Sequence, residues 1–368
     1  MSHNQLNRTR YLEIARVFLR LGLLAFGGPA AHIAMMEDEI VTRRKWISKE
    51  RFVDLLGFTN LIPGPNSTEM AIHLGLERGG RLGLLIAGTC FIFPAMAIVL
   101  LFAYVYVRFG SIPTVAHIFD GIKPVILAVV VQALYRLGTL VLKKRDAALL
   151  AAGALAASLL GVGEIPILLA AGLLLLGWRS IGKRGASTRL MIVDPMSLGL
   201  LFLLFLKIGS VLYGSGYVLL AFLRSEFVDR YAVLSTQQLL DAVAVGQFTP
   251  GPVFTTATFV GYLIRGVPGA LLATAGIFLP SFVLVLLFHP LIDRMRRSPV
   301  VSDVLDGVNA ASIALMAAVT LILGRATLVT WPAVVLFAAS AFLLIRYKVN
   351  ATWLILGGGA AGVLLSLL

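Results

Sequence analysis

The sequence predicts an all-α polytopic membrane protein built from two homologous helical repeats. Hydrophobic residues make up 59% of its 368 residues and charged residues 13%, whereas soluble domains hold about 45–50% and about 25%. Mean hydropathy is +0.93. Apolar stretches alternate with short polar ones, and one stretch in each half contains Pro-Gly-Pro. A soluble globular protein, a disordered chain and a fibre are therefore excluded.

The candidate elements are twelve apolar stretches, since a helix needs about 20 apolar residues to cross a bilayer. In the first half they are 12–34, 52–75, 82–107, 121–142, 147–160 and 165–178. In the second half they are 198–222, 239–262, 266–290, 307–324, 328–345 and 351–368. The stretches 147–160 and 165–178 are short, and either two tilted spans or one tight hairpin would accommodate them.

The two halves repeat each other at a nearly constant offset. A shift of 187 residues aligns Glu39 with Glu226, Asp54 with Asp241, and Pro63-Gly64-Pro65 with Pro250-Gly251-Pro252. Chance similarity between apolar helices explains why Leu aligns with Leu. It does not explain why rare residue types align at one constant offset. We therefore predict a first repeat over 1–178, a basic cytoplasmic linker over 179–197 and a second repeat over 198–368.

The orientation of the repeats depends on whether the Pro-Gly-Pro stretches cross the membrane. If every stretch crosses, the Lys and Arg residues of the loops divide evenly between the two sides. If both Pro-Gly-Pro stretches enter and leave on the same side, basic residues concentrate on one side, as the positive-inside rule expects. The charges therefore favour re-entrant segments and inverted repeats, while full crossing stays open as the alternative.

Each Pro-Gly-Pro lies inside an apolar stretch and must break a helix there, because proline lacks an N–H and restricts its predecessor. Half-helices are predicted to begin at Pro65 and Pro252, since proline favours the first helical position. Free amides over 66–68 and 253–255 would then form an anion site. Matched broken helices in two halves point to a transport site, although a structural kink is the simpler alternative for either one alone.

The residues predicted to bind an anionic substrate lie at these breaks or at a glycine pair near the end of the first stretch. Hydroxyl and amide side chains add hydrogen-bond donors to the backbone amides. The glycine pair allows either close helix contact or a second break. The set comprises Gly27, Gly28, Asn60, Pro63, Gly64, Pro65, Asn66, Ser67 and Thr68, with Gln247, Thr249, Pro250, Gly251, Pro252, Thr255 and Thr256 in the second half.

Basic residues inside apolar stretches complete the predicted substrate site. Arg20 and Lys207 occupy equivalent positions, and a cation at membrane depth usually faces the protein interior. A matched pair of cations suits a dianion, although snorkelling to the interface is the alternative. Lys123 has no basic counterpart in the second half, and it could orient the substrate or pair with Glu164.

Acidic residues are candidates for proton coupling, because a desolvated carboxylate can carry a proton. The candidates are Glu69, Asp54 and Asp241. Asp54 and Asp241 could instead cap the Pro-Gly-Pro segments. Glu39 and Glu226 are expected to form surface ion pairs with Arg43 and Arg230, four residues further on.

Other function classes find little support. A single cysteine and five histidines without paired spacing predict neither a disulfide framework nor a metal site. The net charge of +13 is scattered over loops, which disfavours nucleic acid as a partner. The sequence contains no complete phosphate-binding loop for ATP and no complete motif of a hydrolytic enzyme. The sequence therefore predicts no enzyme and no cofactor. An enzyme acting on lipid-linked phosphates is a third class, which would need a metal or a nucleophile that the sequence does not convincingly offer.

Phe26-Gly27-Gly28-Pro29-Ala30-Ala31-His32-Ile33, the charged loop 37–51 and both Pro-Gly-Pro segments, especially residues 246–256, together resemble the chromate ion transporter family in its long, two-domain form. The resemblance spans nearly the whole chain. It implies export of chromate across the bacterial inner membrane, driven by the proton gradient, with chromate resistance as the result. It also implies oppositely oriented domains.

The resemblance leaves the substrate and mechanism partly open. Chromate and sulfate are similar tetrahedral dianions, so a broader oxyanion carrier and a passive anion channel both remain alternatives. Partners are then the oxyanion, protons and the lipid bilayer, and a homodimer stays open. The second half has Tyr213-Gly214-Ser215 where the first has Phe26-Gly27-Gly28, so the two copies need not bind equally.

Overall fold

The computed structural model describes residues 3–25, 29–59, 61–109, 113–142, 145–177, 196–213, 218–291 and 299–367. Fourteen α-helices and short π or 3₁₀ segments account for the regular structure of these residues, and no strand occurs among them. The predicted all-α class is therefore confirmed. The predicted linker lies almost wholly outside the described residues.

The described residues of the first half form seven α-helices. They are α1 (His3–Leu24), α2 (Pro29–Met36, continued by a π-helical stretch Glu37–Arg43), α3 (Lys49–Thr59), α4 (Asn66–Phe109), α5 (Pro113–Val141), α6 (Arg145–Leu159) and α7 (Glu164–Gly177). The short stretches that the sequence left ambiguous are thus two separate helices, α6 and α7. Both pack on a long helix of the second half.

The described residues of the second half form seven helices that match those of the first half in order. They are α8 (Leu198–Val211), α9 (Leu219–Leu223, continued by a π-helical stretch Arg224–Arg230), α10 (Thr236–Phe248), α11 (Thr256–Phe288, preceded by a 3₁₀ turn Val253–Thr255), α12 (Pro299–Thr327), α13 (Trp331–Arg346) and α14 (Ala351–Leu365). The 3₁₀ turn His289–Leu291 follows α11.

The repeat is visible in the backbone as well as in the order of helices. Positive φ angles recur in pairs at offsets of 186 or 187 residues, at Lys45 and Ala232, Gly64 and Gly251, Gly80 and Gly266, and Gly161 and Lys348. Most side chains avoid this conformation. Its recurrence at matched positions, even where the residue type differs, confirms two homologous repeats.

Helices α4 and α11 each fold back on themselves. The backbone leaves the helical region at Gly79 and Gly80 in α4, and at the equivalent positions in α11. Beyond the bend the chain returns along its own first part, so a Cβ on Gly75 would lie 2.4 Å from the carbonyl oxygen of Gly83. Only glycine permits this close approach of two backbones. Each long helix is therefore two antiparallel segments, 66–78 with 81–109 and 253–264 with 267–288.

Each Pro-Gly-Pro forms the tip of a helical hairpin. In the first hairpin (49–78), Arg51 forms an ion pair with Glu77, and Phe58 packs edge-on against His73. Early residues of α3 thus meet late residues of the next segment, which makes the two antiparallel. The second hairpin (236–264) packs likewise, with Gly246 against Thr256.

The two halves interlock through their C-terminal helices. Helix α5 packs on α13 and α14, and α12 packs on α6 and α7 in the same manner. At the first contact Gly121 faces Gly358 and Gly362 so closely that a Cβ on Gly121 would lie 2.0 Å from the Gly358 oxygen. Small residues permit such close packing between helices in membranes.

Among the described residues, four helices are long and apolar enough to cross a membrane, judged by length and composition. They span Asn66–Phe109, His117–Thr139, Val253–Phe288 and Asp306–Thr327. Large apolar side chains such as Leu101, Leu287 and Trp353 are exposed, which suits a surface that faces lipid. The chain is therefore a multi-pass membrane protein.

Candidate functional site

The two Pro-Gly-Pro tips contact the opposite halves reciprocally. The N–H of Gly64 donates to the carbonyl oxygen of Leu212 at 2.8 Å, and the N–H of Gly251 donates to that of Ala25 at 2.9 Å. Ala25 and Leu212 are themselves equivalent and lie just after α1 and α8. Each tip is therefore held by the end of the other half's first helix, in an approximately two-fold arrangement.

The helix starts after each tip are less open than the sequence predicted. The amides of Thr68 and Glu69 donate to the carbonyl of Pro65 at 2.8 and 3.0 Å, and the amide of Thr255 donates to that of Pro252 at 3.0 Å. The expectation that residues 68 and 255 present free amides is thus wrong. An anion site at these tips therefore cannot use the amides of residues 68, 69 and 255 while these hydrogen bonds persist.

The hydroxyl groups at the two tips differ in what they bind. Thr255 donates to the carbonyl of Pro252 and Thr256 to that of Val253, each at 2.8 Å. Thr249 donates to Gly246 at 3.4 Å. The buried hydroxyl of Thr68 has no hydrogen-bond partner among the described residues. The hydroxyl of Thr68 is therefore available to a ligand at the first tip, whereas the equivalent hydroxyl of Thr255 at the second tip is bound to the backbone.

A small cavity brings together two predicted residues of the second hairpin. Gln247 and Thr256 line it with Val253, and its remaining lining is apolar, from Val130, Val243, Leu219 and Leu220. Pro63 and Asn66 are half-buried at the first tip, whereas Pro65, Ser67, Pro250 and Pro252 are buried. Gly27, Gly28 and Asn60 lie outside the described residues.

Glu69 is the most deeply buried acid in the described part of the chain. It is 0% exposed, and the hydroxyl of Ser281 donates to its Oε1 at 3.3 Å. Its Oε2 has no partner among the described residues. A Cβ on Gly64 would lie 2.1 Å from Oε1, so the tip glycine makes room for this carboxyl group.

The equivalent position in the second half is not acidic. Thr256 stands where Glu69 stands, and Ala95 stands where Ser281 stands. At the second tip, Ala95 is the side chain nearest to Gly251. The two tips therefore share a backbone but differ in chemistry, and only the first has a buried acid.

Asp241 has a counter-charge, whereas Glu69 has none among the described residues. The hydroxyl of Tyr106 donates to its Oδ2 at 2.8 Å, and the Nζ of Lys123 lies 3.8 Å from its Oδ1. Lys123 is also 2.7 Å from Asp120. Of the alternatives for Lys123, pairing with Glu164 is wrong, because Glu164 lies beside Ser225 in another part of the fold.

The capping hypothesis for the two aspartates is also wrong. Ser235 caps α10 and forms a capping box with Gln238, while Asp241 lies in the middle of that helix. In the first half, the hydroxyl of Ser48 accepts from the amide of Arg51 at 3.2 Å. Asp54 lies well inside α3, so the serines before the helices take the capping position.

The predicted pair of free cations is not symmetric. Lys207 lies 2.5 Å from Glu226, which is also 3.3 Å from Arg230. Arg20 is exposed, and no ion pair involves it within the described ranges. In the first half Glu39 pairs with Arg44 at 2.7 Å rather than with the predicted Arg43, which pairs with Asp38.

Sequence reasoning missed two histidines. His73 and His289 belong to different halves, and their Nδ1 atoms are 2.9 Å apart. The expectation of no paired histidines rested on spacing along the chain, which cannot detect a contact between residues 216 positions apart. One local signal was present, since His73 follows Glu69 by four residues, one helical turn.

Broken-helix hairpins in matching positions of two repeats are typical of secondary transporters. A family model described as "Chromate transporter" matches the chain twice, over residues 12–178 and 199–363. The chain therefore belongs to the chromate transporter family, and the resemblance seen in its motifs is confirmed.

Individual relatives agree with this family. The chromate transport protein of Cupriavidus metallidurans is 30% identical over 366 residues, covering 95% of this chain and 91% of that protein. That of Pseudomonas aeruginosa is 30% identical over 386 residues, covering 96% and 92%. An uncharacterized transporter of Bacillus subtilis is 35% identical over 134 residues, which cover 36% of this chain and 68% of that protein. No solved structure matches the chain.

Proposed function

We propose that this protein is a secondary transporter of the bacterial inner membrane that exports chromate in exchange for protons and thereby confers chromate resistance. Two relatives that cover most of the chain are chromate transport proteins, which supports the substrate. The observation that carries the mechanism is the buried Glu69 at the tip of a hairpin that the opposite half holds in place.

The two repeats lie inverted in the membrane in this proposal. If each Pro-Gly-Pro hairpin enters and leaves on one side, each repeat crosses an odd number of times, and the second must be inverted. The antiparallel hairpin segments and the basic residues of the loops support this arrangement. Helix ends and unwound segments then meet near the bilayer midplane, where transporters of this type bind their substrates.

Chromate binds in this proposal between the two hairpin tips. The helix starts after Pro65 and Pro252 present positive dipole ends to the dianion. The hydroxyl of Thr68 and the amide of Gln247 supply further donors. Arg20 is the basic residue assigned to the substrate in this proposal, because Lys207 is already neutralised by Glu226. The side chain of Arg20 is exposed, so it has to turn towards the tips when the dianion binds.

Glu69 is the proton carrier in this proposal, in preference to Asp54 and Asp241. A charged carboxylate without a counter-charge is costly to bury, and binding a proton removes that cost. Asp241 has Lys123 beside it, which stabilises its charged form. A proton on Glu69 and a dianion at the neighbouring tips would then influence one another through charge.

A broader oxyanion carrier and a passive channel are the alternatives. The inside-negative membrane potential already favours anion efflux, by about 2.3 kcal/mol per elementary charge at 100 mV. Efflux alone therefore does not distinguish a carrier from a channel. Accumulation driven by a pH gradient at zero membrane potential does, because a channel does not couple chromate flux to proton movement.

The test is uptake of labelled chromate and labelled sulfate by inverted membrane vesicles, with and without an imposed pH gradient. One pH unit supplies about 1.4 kcal/mol per proton, enough for about tenfold accumulation. We expect gradient-driven accumulation of chromate that sulfate barely inhibits. Strong competition by sulfate would indicate the broader carrier, and flux that ignores the gradient would indicate the channel.

Glu69→Gln isolates the proton-binding step. The variant keeps the shape of the side chain but cannot release a proton, so we expect it to lose gradient-driven accumulation and to retain exchange of labelled for unlabelled chromate. Glu50→Gln is the matched control, because Glu50 lies exposed on the same hairpin. A Glu69→Gln protein that still couples to the gradient would exclude Glu69 as the carrier.

A further inference from the structure

Titratable residues form a stripe along the helical segment that follows the first tip. Glu69, His73 and Glu77 are spaced four residues apart, so they lie above one another on one face. Glu69 and His73 are both 0% exposed, whereas the side chain of Glu77 is 22% exposed and paired with Arg51. The stripe therefore runs from the buried tip to the charged end of the hairpin.

His289 from the other half bridges the upper part of this stripe. Its Nδ1 lies 2.9 Å from the Nδ1 of His73, and its Nε2 lies 3.5 Å from Oε1 of Glu77. Two imidazoles that meet through their Nδ1 atoms bond only if one donates a proton and the other accepts it. The contact thus has the donor and acceptor that a proton transfer requires.

Two buried atoms remain without partners at the inner end. They are Oε2 of Glu69 and Nε2 of His73, on residues one helical turn apart, and neither has a hydrogen-bond partner among the described residues. A buried polar atom without a partner is costly and calls for an explanation. A water between these atoms that relays a proton would account for both.

The surroundings of the stripe suit a guided path. Phe58 packs edge-on against His73 and shields it from other polar groups. Among the described residues, Arg51 lies beside Glu77 and Tyr213 lies near Glu69. The second hairpin has no such stripe, because Thr256, Val260 and Ile264 occupy the three equivalent positions.

We propose that Glu77, His289 and His73 form a proton path that connects Glu69 with water on one side of the membrane. Nε2 of His289 takes a proton from Glu77, and His289 passes its Nδ1 proton to Nδ1 of His73. His73 then releases its Nε2 proton through an intervening water to Oε2 of Glu69, because these two atoms form no direct hydrogen bond. One proton has moved inward, and both imidazoles have changed tautomer and must reset before the next transfer. The path rests on the proposed proton coupling at Glu69.

The test compares two kinds of chromate transport in proteoliposomes that contain the purified full-length protein. Accumulation driven by a pH gradient requires net proton movement, whereas exchange of labelled for unlabelled chromate at equal pH does not. His73→Gln and His289→Gln keep polar side chains that cannot relay a proton. We expect both to lose the about tenfold accumulation that one pH unit supports, with exchange within about twofold of the wild type.

His117→Gln is the matched control, because His117 lies on α5 away from the stripe, and it should behave like the wild type. His289, with a side chain 18% exposed, provides a second variant if His73→Gln does not fold. Normal accumulation in both variants, or loss of exchange together with accumulation, would overturn the path. A wild type that ignores the pH gradient would instead refute the proposed proton coupling itself.

Discussion

The interlocking of the two repeats predicts opposite effects for alanine at two glycines of α14. Gly362 faces α5, and a Cβ there would lie 2.1 Å from the carbonyl oxygen of His117. Gly357 lies on the same helix, and a Cβ there would meet nothing within 4 Å. The comparison therefore isolates the contact between halves from any general effect of alanine on this helix.

The magnitude follows from two contributions. Alanine in place of glycine within a helix gains about 0.5–1 kcal/mol at either position. At Gly362 the methyl group meets backbone that cannot rotate away, so the helices must separate, and overpacking costs about 1–3 kcal/mol. Since the helix contribution is common to both, Gly362→Ala should be less stable than Gly357→Ala by about 1–3 kcal/mol.

Thermal unfolding of the detergent-purified variants, followed by helical circular dichroism, measures this difference. About 1 kcal/mol corresponds to a few degrees in Tm for chains of this order of size. Gly357→Ala should match or exceed the wild type, and Gly362→Ala should unfold several degrees lower. Equal unfolding temperatures for the two variants would refute the close contact between α5 and α14.

Two further predictions concern the charged groups. Lys123→Met removes the cation beside buried Asp241, and because breaking a buried pair costs about 3–5 kcal/mol, we expect a lower unfolding temperature that the added change Asp241→Asn largely restores. A double variant as unstable as the single one would argue against the pair. Gly64→Ala places a methyl group at φ +139° against the carboxyl group of Glu69, at a strain of about 1–3 kcal/mol. We expect it to lose gradient-driven chromate accumulation, whereas Gly80→Ala, also at positive φ but in open space, should keep it; equal behaviour of the two would exclude crowding of the carboxyl group.

Local chemistry accounts for what could be predicted about the fold. Proline and glycine constrain their own backbone, so Pro63-Gly64-Pro65 and its copy indicate a helix break wherever they lie. The constant offset between Asp54 and Asp241 likewise reports duplication without any knowledge of contacts. The bends in α4 and α11 fall at the boundaries between apolar stretches that the sequence predicts as separate, near residue 80 and near residue 265.

Pairings across the two halves account for what could not be predicted. Lys123 with Asp241 and His73 with His289 join residues that are 118 and 216 positions apart, and spacing along a chain does not encode which helices interlock. The predicted equivalence of Lys207 and Arg20 also failed, because Glu226 lies beside Lys207 in the folded protein and neutralises it.

By itself, the sequence determined that this chain is an all-helical membrane protein with two repeats and a broken helix in each, because composition, proline and a constant offset are properties of the chain alone. Only the tertiary structure decided which acid lies buried without a counter-charge from any described residue, and which histidines meet. The physical reason is that the cost of a buried charge depends on its neighbours in space. At Glu69 and Asp241 those neighbours come from distant segments, and they make one carboxyl group a candidate proton carrier and the other a partner in an ion pair.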